Sequence, residues 1–170
     1  VDCVYYFAGI ADIGEAKSNP YKTIEINIMG LTKVLEAAVK NNVKQFIYAS
    51  TMYVYSSHGS FYRASKQAAE IIIEAYQENY GIDFVFLRYG SLYGPRSQDW
   101  NGIKGFVQQV IKTGVLEYSG NGSEVREYIH VLDAAKLSVK ALQEEYRNRA
   151  VTITGQQSMK VSDMFSMIFE

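Results

Sequence analysis

Cysteine, net charge and long apolar runs are what this sequence of 170 residues lacks. The single Cys3 excludes an internal disulfide framework and any metal site built from several cysteines, so no metal is expected. A formal net charge of −1 at pH 7 gives no reason to expect binding to nucleic acid or to an anionic membrane. No apolar run reaches the roughly 18 residues that span a bilayer, and no signal segment opens the sequence. These absences predict a soluble cytoplasmic protein.

What is present predicts an α/β fold. Hydrophobic residues make up 48% and charged residues 21%, which is ordinary globular composition for about one domain. Three short apolar runs indicate buried strands: 1–7, 45–49 and 83–88. Apolar residues recur at the spacing of one helix face in three further segments: 31–39, 62–80 and 103–111. Strands that alternate with helices in this way are typical of a mostly parallel sheet.

Smaller elements are predicted in the rest of the chain. Short strands are expected at 116–118, 127–131 and 151–154, and a helix at 133–146. Ser162 is expected to cap a final helix. Gly81 and Gly114 are placed to end the second and third of the longer helices.

The motif Tyr62-Arg63-Ala64-Ser65-Lys66 carries the clearest chemistry. Residues four apart share one helix face, so the Tyr62 hydroxyl and the Lys66 ammonium can converge on one ligand. A free phenol has a pKa of about 10, and a nearby cation lowers it, which makes proton transfer feasible. The same spacing also occurs at ordinary helix starts.

Two other features fall at the same edge of the predicted sheet. The strand at 45–49 runs into the hydroxyl-rich segment 50–55, and the first strand ends at Phe7-Ala8-Gly9, where glycine permits close backbone approach to a ligand. Open α/β sheets bind ligands at the carboxyl ends of their strands. We therefore expect the functional site at that edge.

Six stretches, in this order, resemble the extended short-chain dehydrogenase/reductases, and among them the NAD-dependent nucleotide-sugar epimerase/dehydratase group, similar to UDP-glucose 4-epimerase. They are FAGI (7–10), INIMG around Asn27, VKQFIYASTMYVY (43–55), YRASK (62–66), LRYGSLYGPR (87–96) and REYIHVLDAA (126–135). They are spread over residues 7–135, which is most of the chain. The resemblance implies a Rossmann-like parallel sheet flanked by helices and an NAD-dependent enzyme, with NADP as the alternative cofactor.

The resemblance also implies residue roles. Thr51 would bind the reacting sugar hydroxyl, Tyr62 would be the general acid and base, and Lys66 would bind the nicotinamide ribose and lower the pKa of Tyr62. The dinucleotide would be contacted by Phe7, Ala8, Gly9, Asn27, Ser50, Tyr62, Lys66, Tyr89 and Gly90. The nucleoside diphosphate sugar would be contacted by Thr51, Ser91 and Arg126, whose forked guanidinium suits a diphosphate.

Three of these residues could instead have a purely structural role. Asn27 could cap a helix, Ser91 could be a loop hydroxyl, and Arg126 could be the partner in a surface ion pair. The glycine pair Gly120 and Gly122 is not taken as a dinucleotide loop, because no third glycine and no long helix follow at the required spacing.

The family's glycine-rich loop between its first strand and first helix has no counterpart in the sequence, and that loop holds the pyrophosphate. We therefore expect a fragment or truncated form that starts at the family's fourth strand and has weak cofactor binding and little turnover by itself. Residues 1–96 would be the C-terminal part of the NAD-binding domain with the catalytic residues, and 97–170 part of the substrate-binding region interleaved with the last sheet elements.

A homodimer, or association with a missing N-terminal segment, is expected for two reasons. The first strand would expose an unpaired apolar edge. In the resembled family, the helices that follow Asn27 and Tyr62 also form the dimer.

Two departures from the family's pattern bear on the reaction. Its dehydratases place an acid just after the catalytic threonine, where Met52 and Tyr53 stand here, so simple epimerisation is favoured. The eleven-residue interval from Thr51 to Tyr62 is shorter than in familiar epimerases. The sequence therefore does not identify the sugar of the substrate. A nucleotide-sugar reductase, a 4,6-dehydratase and a non-catalytic sugar-nucleotide-binding module are the alternatives.

Overall fold

A computed structural model describes residues 1–170 and shows the predicted α/β architecture. The elements of the first half are β1 (Cys3–Tyr6), α1 (Ile13–Ser18), α2 (Pro20–Ile24), a π-helical turn (Glu25–Gly30), α3 (Leu31–Lys40), β2 (Gln45–Thr51), a 3-10 turn (Met52–Tyr55), α4 (Ser60–Tyr80) and β3 (Asp83–Tyr89). Those of the second half are β4 (Ser91–Tyr93), α5 (Gly102–Thr113), β5 (Val125–His130), α6 (Val131–Lys140), a second 3-10 turn (Glu144–Tyr146), β6 (Arg149–Ile153), β7 (Ser158–Lys160) and α7 (Val161–Phe169).

The first sheet has four strands in the order β1-β2-β3-β6. β1 pairs with β2, and β2 with β3, in parallel, which confirms the three strands predicted from apolar runs. Tyr6 is in register with Tyr48, and Thr51 with Tyr89. The carboxyl ends of these strands therefore share one edge, and the loop that begins at Phe7 leaves the sheet there.

Helices α3 and α4 cover one face of this sheet. Leu31 and Leu35 on α3 and Ile73 on α4 are fully buried with Phe46 and Tyr48 of β2 in one hydrophobic cluster. Burying each such side chain stabilises the fold by about 1.5–3 kcal/mol. This packing fixes the axis of α4, on which Tyr62 and Lys66 stand.

The two long helices of this region end at well-defined caps, and the predicted end at Gly81 is confirmed. Asn41 caps α3, with its amide donating to the Ala37 carbonyl at 3.1 Å. Gly81 caps α4 in the left-handed conformation, at a φ of 72°, and its amide donates to the Gln77 carbonyl at 2.8 Å. Glycine adopts that conformation without steric cost.

The chain forms two compact units. The first is Val1–Tyr89 with Ser138–Thr152, and the second is Gly90–Leu137 with Ile153–Glu170. The functional division expected at residue 96 concerns binding roles and stays a prediction. No helix combines the length and apolar character needed to cross a membrane.

The second unit contains a small sheet in the order β4-β5-β7, with β4 parallel and β7 antiparallel to β5. Helices α5 and α7 meet through edge-on aromatic contacts, with the ring of Phe106 5.0 Å from that of Phe165. The strand predicted at 116–118 is wrong: Tyr118 lies in a loop, where its ring packs edge-on against both of these rings.

Two further predictions are corrected here. The helix predicted at 133–146 ends at Lys140, because the hydrogen bonds change to three-residue spacing at Leu142 and Gln143. Ser162 does not cap α7, whose N-cap is Lys160. The first amides of α7 instead donate to the carbonyls of Glu124 and Gly122, each at 2.9 Å, so no side-chain cap is needed.

Candidate active site

Thr51 ends β2 and is almost fully buried. Its Oγ1 accepts a hydrogen bond from the backbone amide of Tyr53 at 3.2 Å and so caps the 3-10 turn that follows. That turn is attached to α4, because Gln67 donates to the Val54 carbonyl at 2.8 Å and Arg63 to the Ser56 carbonyl at 2.7 Å. The short interval between Thr51 and α4 is thus a tethered segment.

Helix α4 brings Tyr62 to Thr51. The Tyr62 side chain is buried, and the ring of Tyr53 packs edge-on against it at 6.0 Å. Burial raises the pKa of the Tyr62 phenol, and a hydrogen bond with the Thr51 side chain opposes that shift. The expected lowering of the Tyr62 pKa by Lys66 is therefore not observed. Desolvation of the phenol outweighs the effect of Thr51, and Lys66 does not contribute to the shift.

Lys66 lies one helical turn beyond Tyr62 and is 6% exposed. Its Nζ donates to the Ala49 carbonyl at 2.7 Å and lies 4.8 Å from the centre of the Tyr48 ring. Burial lowers the pKa of Lys66 to about 8, and the negative charge of Glu70 acts in the opposite direction. The ammonium is therefore still mostly charged at pH 7.

Asn27 lies in the π-helical turn and is buried. Its Oδ1 accepts from the Ile10 amide at 2.7 Å, while its Nδ2 donates to the Ile10 carbonyl at 3.1 Å and to Ser65 Oγ at 2.9 Å. Ser65 in turn donates to the Tyr62 carbonyl at 2.9 Å. Asn27 therefore connects the loop after β1 to α4, and its expected contact with the dinucleotide stays a prediction.

Gly9 is the position of that loop where a side chain does not fit. Its φ is 149°, and a Cβ there would lie 2.9 Å from Asn27 Oδ1. Glycine is thus required for the hydrogen bonds of Asn27 to Ile10. Phe7 and Ala8 beside it are exposed at the sheet edge.

Tyr89 ends β3 at the same edge. Its ring centre lies 6.4 Å from that of Phe7, and its hydroxyl is 2.6 Å from Ser138 Oγ. The structure therefore brings two of the predicted cofactor residues together. Ser50 and Thr51 lie on the neighbouring strand, where Thr51 is paired with Tyr89.

The other three predicted residues belong to the second unit. Gly90 has no room for a side chain, because a Cβ would lie 2.7 Å from Thr154 Cγ2. Ser91 begins β4, paired with Tyr128, so it is not a loop hydroxyl. Arg126 on β5 is exposed and donates to the Val125 carbonyl at 3.2 Å. It takes part in none of the ion pairs of the chain.

Sequence reasoning missed three polar residues that support this site: Ser65, Glu70 and Arg88. Glu70 carried a detectable signal, since it falls four residues after Lys66 on the same helix face. The signal for Arg88 was weaker: it is a charged residue at the end of an otherwise apolar strand. No cluster of three or more histidine, cysteine or acidic residues could hold a metal ion.

The fold and this site together define a Rossmann-like α/β protein with a tyrosine and a lysine on one helix beside a threonine at the carboxyl edge of the sheet. The sequence profile of the NAD dependent epimerase/dehydratase family matches residues 1–153. The chain therefore belongs to that family, whose members are enzymes, and the resemblance is confirmed.

Relatives within the family carry out more than one reaction. The chain is 25% identical to UDP-glucuronate 4-epimerase of Thermodesulfobacterium geofontis, over 84% of this chain and 48% of that protein. It is 28% identical to dTDP-glucose 4,6-dehydratase of Streptomyces antibioticus, over 78% of this chain and 43% of that protein. The chain thus spans about half the length of these curated relatives.

Solved structures agree with the fold. The crystal structure of UDP-glucuronic acid 4-epimerase from Bacillus cereus, in complex with UDP-glucuronic acid and NAD, superposes with a TM-score of 0.92. The identity is 25%, and the match covers 99% of this chain and 58% of that one.

Proposed function

We propose that this chain carries the catalytic residues of an NAD-dependent nucleotide-sugar epimerase. The observation that carries the proposal is the buried Tyr62, whose phenol interacts with the Thr51 side chain, with the ammonium of Lys66 one turn along the same helix. A phenol, a hydroxyl and a cation in this order can bind a sugar hydroxyl and move its proton. The names of the relatives support a nucleoside diphosphate sugar as substrate.

The residues of the first unit fit the nicotinamide end of a dinucleotide. The Ala49 carbonyl accepts only one of the three N–H groups of Lys66, so the ammonium keeps donors for two ribose hydroxyls. Phe7 and Tyr89 present neighbouring rings at the sheet edge, and the backbone at Gly9 carries no side chain. Bound there, the dinucleotide supplies the hydride acceptor and later the hydride donor.

Tyr62 would receive the proton of the sugar hydroxyl as the carbon-bound hydrogen leaves as hydride. Thr51 would hold the reacting oxygen in place. After the ketone turns over, its reduction from the other face would return the same proton from Tyr62. Burial of Tyr62 favours the neutral phenol that holds the proton, and the side chain of Thr51 acts in the opposite direction.

Epimerisation is favoured over elimination because the site has no free acid to protonate a leaving hydroxyl. Residues 52–61 contain no aspartate or glutamate. Glu70, the acidic residue among the buried polar ones, is held by hydrogen bonds from Ser50 and Arg88. An acid engaged in this way is not free to protonate a leaving hydroxyl.

A chimera tests the proposal. This chain would replace the matched 58% of the Bacillus cereus UDP-glucuronic acid 4-epimerase, and isomerisation of UDP-glucuronic acid would be measured in the presence of NAD. We expect isomerisation without net consumption of cofactor, and a loss of about 100-fold or more in the Tyr62→Phe variant. The chain by itself is expected to bind NAD weakly and to turn over little.

Tyr80→Phe is the matched control, because it also removes a phenol hydroxyl from α4, but at an exposed position. It should leave the rate unchanged. A folded chimera with equal rates for wild type and Tyr62→Phe would refute the proposal. Net oxidation of NADH would instead indicate a reductase, and binding of the sugar nucleotide without any reaction would indicate a binding module.

A further inference from the structure

A buried carboxylate, Glu70, lies directly behind the site. It is on α4, four residues after Lys66, and is 7% exposed. Its Oε1 accepts hydrogen bonds from Ser50 Oγ at 2.5 Å and from Arg88 Nε at 3.0 Å. Its Oε2 accepts from Arg88 Nη2 at 2.5 Å. Glu70 therefore connects α4 to the ends of β2 and β3.

The second end of this network reaches the segment after Thr51. Arg88 Nη1 donates to the Tyr55 hydroxyl, and the guanidinium carbon lies 4.8 Å from the centre of the Tyr55 ring. Ser50 precedes Thr51 and Tyr55 ends the 3-10 turn that follows it. The network thus holds the backbone on both sides of Thr51.

The charges around Lys66 make Glu70 more than a structural link. The groups that face the ammonium are the Ala49 carbonyl and the Tyr48 ring from β2, and Glu70 from its own helix, with Tyr62 one turn before. Among them Glu70 supplies the negative charge. A buried cation without a nearby anion loses its proton more readily.

We propose that Glu70 is a positioning residue for Lys66: anchored by Ser50 and Arg88, its carboxylate keeps the ammonium charged and holds α4 against the strand that ends in Thr51. The inference rests on the proposed function, in which the charge of Lys66 is used. The role of Arg88 is to hold the carboxylate, since its two donors fix both oxygens. Glu70 itself would touch neither substrate nor cofactor.

A titration of Lys66 in the unmodified chain tests this. Lysine side chains labelled with ¹³C at Cε would be followed by NMR from pH 6 to 11, and Lys66 would be assigned from the signal lost in Lys66→Arg. In Glu70→Gln we expect the Lys66 midpoint to fall by about one pH unit. Glu74→Gln, the same charge change at an exposed position of α4, should move it by less than about 0.2 unit.

Glu70→Gln leaves the partly buried Arg88 without its anionic partner, so a second variant guards against misfolding. The double variant Glu70→Gln with Arg88→Met removes both charges of the pair, and the midpoint should again lie below the wild-type value. An unchanged midpoint in either folded variant would overturn the inference. Because this titration uses neither sugar nor NAD, its failure leaves the Tyr62 requirement untouched, and failure of the chimera leaves the titration result standing.

Discussion

At the scale of single residues, burial decides the chemistry of Tyr62 and Lys66. The sequence places the two side chains one helical turn apart and predicts that the cation lowers the pKa of the phenol. In the structure both groups are desolvated, so the pKa of Tyr62 is raised and that of Lys66 is lowered to about 8. The spacing was thus predictable, but the direction of the Tyr62 shift depended on the burial of its ring against Ile10 and Ala16, which belong to the loop after β1 and to α1.

The Lys66→Met substitution is expected to stabilise the chain at pH 7. The pKa of Lys66 is about 8 in the folded chain and 10.5 ordinarily, so the unfolded chain binds the proton more strongly. The free energy of unfolding of the wild type therefore rises as the pH increases from 8 to 10.5. Removing the buried charge should raise that free energy by about 1–2 kcal/mol at pH 7, with a smaller gain above pH 8.

Urea unfolding at a series of pH values, followed by circular dichroism, measures this effect. Lys33→Met, at an exposed position of α3, is the control and should show no such pH dependence. If Lys66→Met were less stable than the wild type at pH 7, the contact with Ala49 would outweigh the burial of the charge.

At the scale of elements, a helix end was predictable where a single residue determines it. It was not predictable where backbone groups from a distant part of the chain satisfy the helix terminus. Gly81 ends α4 through its own left-handed conformation. The start of α7 is instead satisfied by carbonyls about 40 residues earlier in the chain, which no local pattern reveals. The π-helical turn around Asn27 is similar, since its buried amide binds Ile10 and Ser65.

Alanine at two glycines should have opposite effects on stability. A Cβ would meet nothing within 4 Å at Gly81 or at Gly105, so only the backbone conformation differs. Gly81→Ala forces a left-handed residue and should destabilise the chain by about 1 kcal/mol. Gly105→Ala, inside α5, should stabilise it by about 0.5–1 kcal/mol. Thermal unfolding of both variants beside the wild type checks the two signs, and a shift of the same sign in both would contradict this account.

At the scale of the whole molecule, β1 lies at the end of the first sheet and pairs with β2 alone. The other edge of β1 offers backbone groups for pairing with another strand. Apolar residues of this strand, Val4 and Tyr6, contact the main hydrophobic cluster, so its register is fixed. We propose that the chain associates through this edge as a dimer or larger assembly.

Sedimentation velocity over a range of concentrations should show this association. Ile71→Glu places a charge on the exposed face of α4 and separates the two expected routes of assembly. Association through the β1 edge should persist in this variant. A stable monomer at every concentration would contradict assembly, and dissociation caused by Ile71→Glu would place the contact on the helices.

The sequence by itself determined the alternation of strands and helices, the parallel sheet and the placement of Tyr62 and Lys66 one helical turn apart, because apolar periodicity and helical spacing are local properties of the chain. Thr51 joined this pair through the resemblance to the family. Only the tertiary structure decided how these groups are supported. The bonds from Asn27 to Ser65, and from Glu70 to Ser50 and Arg88, join residues 18 to 38 positions apart on different elements. Such contacts exist only once helices pack on the sheet, since burial then requires each polar group to find a partner.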